Sequence, residues 1–288
     1  MEALPIGNGS QGAMIFGDPV KERIQFNLDT LWTGQPHDYQ NEDAHKVLPE
    51  LRRLLFEGKQ QDAERLAMKE FMSKPLRQNA YQPFGDLNIQ FDTTASVAEY
   101  KRWLDLETAI AGVSYTAGDT TYKRELFASY PDKVIVMRLN ADTPGALSFD
   151  VSFDSPHEKH RRRAVDDSTL SLQGKITNMS DARMPSVLKF EARVTATCTG
   201  GSLAVDDDGI HVKNADSVAL LLSGASSYNS YNDVSGNPAE KCATILEAAK
   251  QFSYEELKNR HGKDYQALFN RVSIDLGCAP EMLQQDTD

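Results

Sequence analysis

One stretch of the chain gathers side chains that could hold a sugar: Asn27-Leu28-Asp29-Thr30-Leu31-Trp32-Thr33-Gly34-Gln35-Pro36-His37-Asp38-Tyr39. Aromatic faces such as Trp32 and Tyr39 can take the C–H side of a pyranose, while Asn27, Asp29 and His37 carry donors and acceptors for its hydroxyls. These five are the candidate substrate-rim or domain-interface residues. The same composition has a plainer use, in which Leu31 and Trp32 enter the core and the polar groups cap the helix that follows. Composition alone favours the plainer use.

Other patterns carry less chemistry. Gly7-Asn8-Gly9-Ser10-Gln11-Gly12 fits the dinucleotide spacing G-x-G-x-x-G, which works only between a strand and a helix N-terminus. Here a strand pattern follows instead, so the glycines are expected to serve a loop with positive φ. Asp206-Asp207-Asp208-Gly209 opens like a calcium loop, but Ile210, Val212 and Lys213 stand where later ligands belong, and a hairpin turn is expected. His157 and His160 could share a metal, with no third ligand in view, so no metal and no other cofactor is implied. The sequons Asn8-Gly9-Ser10 and Asn178-Met179-Ser180 decide nothing. No G-x-S-x-G elbow occurs. Any glycosidase pair among 42 acidic residues is defined by separation in space, not along the chain, and no catalytic residue is named.

Forty-two acids against 31 bases give a net charge of −11, a field that repels polyanions and argues against a nucleic-acid partner. The longest apolar run, residues 218–222, is far below the roughly 20 residues of a membrane helix, so no membrane partner is expected. No charged-then-apolar leader precedes Glu2, and the compartment stays open. Three cysteines, Cys198, Cys242 and Cys278, cannot all pair, lack metal spacing, and are expected to be buried structural thiols.

The elements that would position these residues follow from periodicity. Residues 13–16 and 24–26 read as strand, turn, strand around Gly17-Asp18-Pro19. Across residues 41–73, Val47, Leu51, Leu54 and Leu55, then Ala63, Leu66, Ala67 and Phe71, recur at helical steps, giving two short helices broken near Gly58. Leu87, Ile89 and Phe91 then alternate with polar residues as in a half-buried strand. Further strands are expected at 113–116, 121–128, 133–140, 146–153, 169–173, 187–197, 202–205, 210–213 and 217–222, separated by turns such as Gly118-Asp119 and Gly200-Gly201. Arg161-Arg162-Arg163 is read as a solvated loop. Beyond Tyr228 the chain is polar, and helices return from Pro238, the second starting at Tyr254 behind a Ser253/Glu256 capping box. Residues 272–276 could add a strand before a polar tail. The fold class is mainly β, a large antiparallel sandwich with two short inserted helices and a C-terminal helical linker.

Several ordered blocks carry a resemblance. They are Glu2-Ala3-Leu4-Pro5-Ile6-Gly7-Asn8-Gly9 with Gly12-Ala13-Met14, then Asn27, Asp29-Thr30-Leu31-Trp32 and Gly34. Tyr81-Gln82-Pro83-Phe84-Gly85-Asp86-Leu87, Tyr100-Lys101-Arg102 and Leu104-Asp105-Leu106 follow. Arg124-Glu125, Phe127-Ala128-Ser129, Pro131-Asp132, and finally His261, Asp264-Tyr265, Leu268-Phe269 and Arg271-Val272 complete the series. Together, over nearly the whole chain, they resemble the N-terminal domain of glycoside hydrolase family 95, the inverting α-L-fucosidases. The resemblance implies a β-supersandwich over residues 1–230, with the helical insertion at 41–73. It also implies a linker over 231–288 leading to a catalytic (α/α)6 barrel, in cis or as a separate chain. The implied substrate is a fucosylated oligosaccharide, mainly with terminal α-1,2-linked fucose, and such proteins are often secreted or periplasmic. The family's general-acid Glu and water-activating Asn and Asp lie in the barrel, so none maps onto this chain. Ser10-Gln11 stands where the family usually has Arg-Leu, Leu28 where it has Glu, and an upstream strand segment is missing, so truncation at both ends is expected. The alternatives are a free-standing carbohydrate-binding sandwich without hydrolysis, or a sandwich serving only a protein interface.

Overall fold

The computed structural model describes residues 2–76, 79–92, 95–177, 184–275 and 277. Two antiparallel sheets face each other. The smaller contains β1 (Leu4–Gly7), β2 (Gln11–Ile15), β3 (Lys21–Leu28), β4 (Gly85–Phe91), β9 (Leu147–Asp154), β14 (Ile210–Ala215) and β13 (Ser202–Val205), in that spatial order. The larger runs β10 (His160–Asp166), β11 (Thr169–Lys175), β12 (Lys189–Thr199), β15 (Ser217–Ser226), β8 (Val134–Ala141), β7 (Thr120–Ser129), β6 (Ile110–Ala117) and β5 (Val97–Asp105). Between them lies one continuous apolar core, with Ile15, Leu31, Phe84, Ile89, Phe149, Val151, Leu170, Leu172, Ala192, Val194, Ile210 and Val218 fully excluded from solvent. Alternating strands supply it because successive side chains point to opposite faces of a sheet.

The strands expected between residues 13 and 222 are present, and three others are added. β1, β5 and β10 carry no apolar alternation strong enough to read, and each is an outer strand of its sheet. An outer strand that covers little core can be charged, and charge there discourages pairing with another chain. Arg161-Arg162-Arg163 is therefore not a loop but part of β10, paired with residues 171–173 of β11. The G-x-G-x-x-G segment is the β1–β2 hairpin, with Gly9 at φ +86° and a strand behind it. Asp206 to Gly209 turns β13 into β14, the Asp206 carboxylate accepting from the N–H groups of Asp208 and Gly209. Residues 272–275 form no strand. Leu276, the Asn178 sequon, Cys278 and the tail from Ala279 lie outside the described residues. Cys242 is fully buried, its thiol pushed up to about 12 by burial, whereas Cys198 is only half-buried.

Polar side chains fix the sheets relative to one another. Glu22 on β3 and Arg124 on β7 meet at 3.1 Å inside the sandwich, 0% and 1% exposed. Arg124 also donates to the carbonyls of Asp18 and Pro19 and to the Tyr115 hydroxyl, and its guanidinium lies 3.9 Å from the centre of the Phe91 ring. Glu22 accepts from the Gly17 and Arg23 N–H groups. Burial raises the Glu22 pKa above the ordinary carboxylate value, with Arg124 and those N–H groups pulling the other way. At the opposite end of β3, Gln11 is 4% exposed. Its amide donates to Lys133 O at 2.8 Å and accepts from Gly224 N at 2.9 Å, joining β2 to the larger sheet.

Two helix pairs flank the sandwich. α1 (Ala44–Phe56) and α2 (Gln60–Leu66), followed by a π turn at Ala67–Phe71, share a small core of Leu51, Leu54 and Ala63. α3 (Pro238–Ala249) and α4 (Tyr254–Phe269) pack on the outer face of the larger sheet, burying Leu246, Ala249 and Leu257 against Phe127, Val134 and Val136. The capping box at Ser253 and Glu256 forms as expected. α4 is further tied by Tyr254 and Lys258 to Glu125 on β7, by Arg260 to Asp132, and by His261 and Tyr265 to the carbonyls of Thr108 and Leu106.

Two outcomes test these constraints. Arg124→Met leaves the Glu22 carboxyl buried without its cation, which should cost about 3–5 kcal/mol in urea denaturation. The double variant Glu22→Gln/Arg124→Met should recover part of that loss, and equal stability of single and double variants would contradict the pairing. Burial pushes the Glu125 pKa up, but bonds from Tyr254, Lys258 and Lys123 outweigh it and hold the carboxyl down at about 2. A depressed folded value means the stabilisation is complete above the unfolded value of roughly 4.3 and fades as pH falls toward 2. Protection factors of the α4 amides, which divide out the intrinsic pH dependence of exchange, should fall over that window, and Glu125→Gln should remove that fall.

Candidate functional site

The candidate loop leaves β3 at Leu28, whose neighbour across the sheet is the pinned Gln11. Asp29 N donates to Ser10 O, and Leu31 N donates back to Leu28 O at 3.2 Å, closing a tight turn. That turn sends Leu31 into the core at 0% exposure and leaves Trp32 at 41%. The plainer reading thus holds for Leu31 and fails for Trp32. Its second half fails too: the N-cap of α1, Asp43, makes no side-chain capping bond, and none of the residues 27–39 supplies one.

Trp32 is held in place from several sides. Its indole N–H donates to Asp29 O at 2.9 Å, its backbone bridges to Tyr81, and the two rings lie 5.2 Å apart at 50°. The Tyr81 hydroxyl donates to Leu28 O, and burial, with the charge of Asp29, raises its pKa so that it stays a neutral donor. Around these rings, Gln82 N donates to Leu31 O, and Thr33 exchanges bonds with both the N–H and the carbonyl of Ala80. Gly34 sits at φ +90°, donates to Ser186 Oγ and accepts from Val187 N. A Cβ at Gly34 would lie 2.5 Å from Asn79 Nδ2, so only glycine lets Asn79 approach the loop. Asn79 in turn donates to the Tyr39 hydroxyl at 3.0 Å.

The result is an open cavity of about 820 Å³ whose walls include Asp29, Trp32, Tyr39, Asn79, Tyr228 and Tyr231. That volume lies in the range of small-ligand sites. Three of the five sequence candidates, Asp29, Trp32 and Tyr39, line it. His37 stands behind the wall, its Nε2 bonded to Lys74 O and its ring 5.1 Å from that of Tyr39. Asn27 is not in the lining, and its Oδ1 accepts from the N–H of Leu28. Tyr228 and Tyr231 escaped the sequence reading. Their segment, Ser227-Tyr228-Asn229-Ser230-Tyr231-Asn232, repeats the mixture of aromatics and carboxamides that marked residues 27–39, and that was the available signal.

Chemically, this wall offers flat apolar rings with carboxamide, hydroxyl and carboxylate groups between them. Asp29 is the one carboxylate in the described lining, and the rings and polar groups together suit contact with a polyhydroxylated ligand. Among the described residues, no group of three or more His, Cys, Asp or Glu side chains could hold a metal ion. His157 and His160 are engaged elsewhere, with the carbonyls of Pro83 and His157 respectively.

Known proteins match this architecture. A relative named "Alpha-L-fucosidase 2" from Arabidopsis thaliana is 36% identical over 99% of this chain and 36% of its own length. "Probable alpha-fucosidase A" from Aspergillus niger is 28% identical over 95% of this chain and 36% of its own length. The chain therefore spans little more than a third of these relatives. A solved structure assigned as a kojibiose phosphorylase from the human microbiome covers 92% of this chain and 35% of its own, with a TM-score of 0.54 at 12% identity, which shows the fold alone. The fucosidase resemblance of the motif blocks is borne out by the named relatives, although the matching family carries the number 65. Residues 1–231 match the family described as "Glycosyl hydrolase family 65, N-terminal domain", and the chain belongs to it.

Proposed function

We propose that this chain is the non-catalytic N-terminal region of a fucosidase-like glycoside hydrolase. Residues 1–230 form the sandwich domain and residues 231–288 lead toward a catalytic (α/α)6 barrel, in the same polypeptide or a separate one. The complete enzyme would hydrolyse terminal α-L-fucosyl linkages, mainly α-1,2, with inversion. In that chemistry a protonated carboxyl assists the leaving group while an activated water attacks the opposite face of the sugar in a single displacement. Those groups belong to the barrel.

The part assigned to this chain is to pack on the barrel and to line its sugar pocket. The observation that carries it is the cavity between the 29–39 loop and the 228–234 segment, walled by Trp32, Tyr39, Tyr228 and Tyr231. Exposed aromatic rings such as Trp32, held by its indole bond to Asp29 O, are costly to leave in water and suited to sugar faces. The fucosidase names of the two relatives supply the sugar. The same cavity would also let the sandwich bind sugar by itself, which keeps the free-standing binding module as the second reading.

A fucosyl-α-1,2-linked oligosaccharide should be hydrolysed by this chain extended through the downstream barrel and not by the chain alone. Hydrolysis by the isolated chain would overturn the assignment. In the extended protein, Trp32→Ala should weaken the substrate interaction about tenfold, roughly 1.4 kcal/mol, read as a raised KM with circular dichroism unchanged. Measurable binding by the chain alone in titration calorimetry, with no gain from the barrel, would favour the second reading. An unaltered KM would remove Trp32 from the pocket.

A further inference from the structure

A second recess, of about 440 Å³, lies on the outer face of the larger sheet beside the start of α3. Its charge is opposite to that of the molecule. Lys159, Arg161, Lys175 and Lys189 line it, with His160 between them, on a protein of net charge −11. Lys175 and Lys189 are direct cross-strand partners on β11 and β12, and Lys159 O accepts from Lys175 N, so three lysines stand in one row across the sheet. Like charges placed directly opposite on a sheet destabilise it. Among the described residues none of the three makes an ion pair, whereas Arg162, on the other face of β10, does so with Asp208.

The remaining groups are equally arranged. Arg161 is held by two bonds from its guanidinium to Gln173 Oε1, which fixes its plane. The one carboxylate in the lining, Glu191, is buried and paired with Arg193. The helix behind the recess adds only its dipole, because Asn237 already accepts from the Ala239 and Glu240 N–H groups. Glu158 and Glu240 are chain neighbours of the lining but not part of it. A row of mutually repelling cations without an internal counterion is a cost to the fold that an external anion would relieve.

We infer that this recess binds the anionic group of an acidic saccharide, a sulfate ester or a uronate carboxylate. The saccharide class rests on the function proposed above, and on position. Leu188 lines the aromatic cavity and Lys189 lines the basic recess, while the 228–239 segment supplies Tyr228, Tyr231 and Val234 to the first and Asn237, Pro238 and Ala239 to the second. The two recesses are thus lined by consecutive parts of the same two chain segments.

The test is a titration of the 288-residue chain with four probes: a sulfated fucose oligosaccharide, an oligogalacturonate, a neutral fucosylated oligosaccharide and a DNA oligonucleotide matched in charge. At least one acidic saccharide should bind, and binding should weaken as salt rises. Lys175→Gln/Lys189→Gln should weaken it at least tenfold. Neutral-saccharide binding should be the same in the variant as in the parent, and the variant's melting temperature should be equal or higher, because a repulsive pair is removed. Which acidic probe binds identifies the anion. No binding of either acidic saccharide, binding unchanged in the variant, or equal binding of DNA would each overturn the inference. Failure of the neutral probe alone would bear on the aromatic cavity and leave the basic recess standing.

Discussion

The position of the candidate loop at residues 29–39 depends on how one strand, β3, is locked against the sheet across from it. Near its start, Glu22 is clamped by Arg124 of the opposite sheet, with Tyr115 and two loop carbonyls completing the guanidinium's bonds. At its end, Leu28 is registered with Gln11, whose amide reaches Lys133 and Gly224 of the larger sheet. An apolar sandwich core alone is non-directional and would tolerate small sliding of one sheet over the other. Buried, bonded polar groups at both ends of β3 remove that freedom, since sliding would strand them without partners. The loop that begins at Asp29 is therefore launched from a fixed point, and Trp32 inherits that fixity through its bonds to Asp29 and Tyr81.

This also explains what the resembling motif blocks consist of. Arg124 clamps Glu22, while its neighbour Glu125 faces outward and anchors Tyr254 and Lys258. Asp132 takes Ser129 and Arg260, Arg102 donates to Phe16 O, and Tyr81 holds Leu28 O. His261 stacks on Phe127 at 4.7 Å and bonds to Thr108 O. These are devices for holding a sandwich and its helices together. They identify an architecture and the family that uses it.

How far the sequence could be read follows the same physics. Strands with one face in the core, such as β4, β9 and β12, announce themselves by alternation, and the capping box announces α4. β1, β5 and β10 are outer strands, free of the demand for apolar alternation, and so gave no periodic signal. At the site, composition located the loop but could not sort its members, because Leu31 and Trp32 are adjacent and only the turn between Leu28 and Trp32 decides which one is buried. Asn27 is set apart from the cavity for a related reason: it still belongs to the strand, where its side chain accepts from the neighbouring N–H. Tyr228 and Tyr231 belong to the far wall of a cavity assembled from segments 200 residues apart, a separation no local pattern spans.

Net charge misleads in a similar way. A value of −11 describes the long-range field, yet binding at contact distance is governed by charges within a Debye length, about 8 Å at physiological salt. On this sheet the strand pairing collects Lys159, Lys175 and Lys189 in one row, although they lie at three separate places in the chain. A cross-strand row of like charges is invisible to any count along the sequence and costs stability wherever it is left alone. The 227–239 segment contributes to both recesses. Lys241 bonds to the carbonyls of Ser226 and Tyr228, and Asp233 accepts from Asn229 and Ser235. With its shape set by these bonds, the segment presents Tyr231 to one recess and the start of α3 to the other.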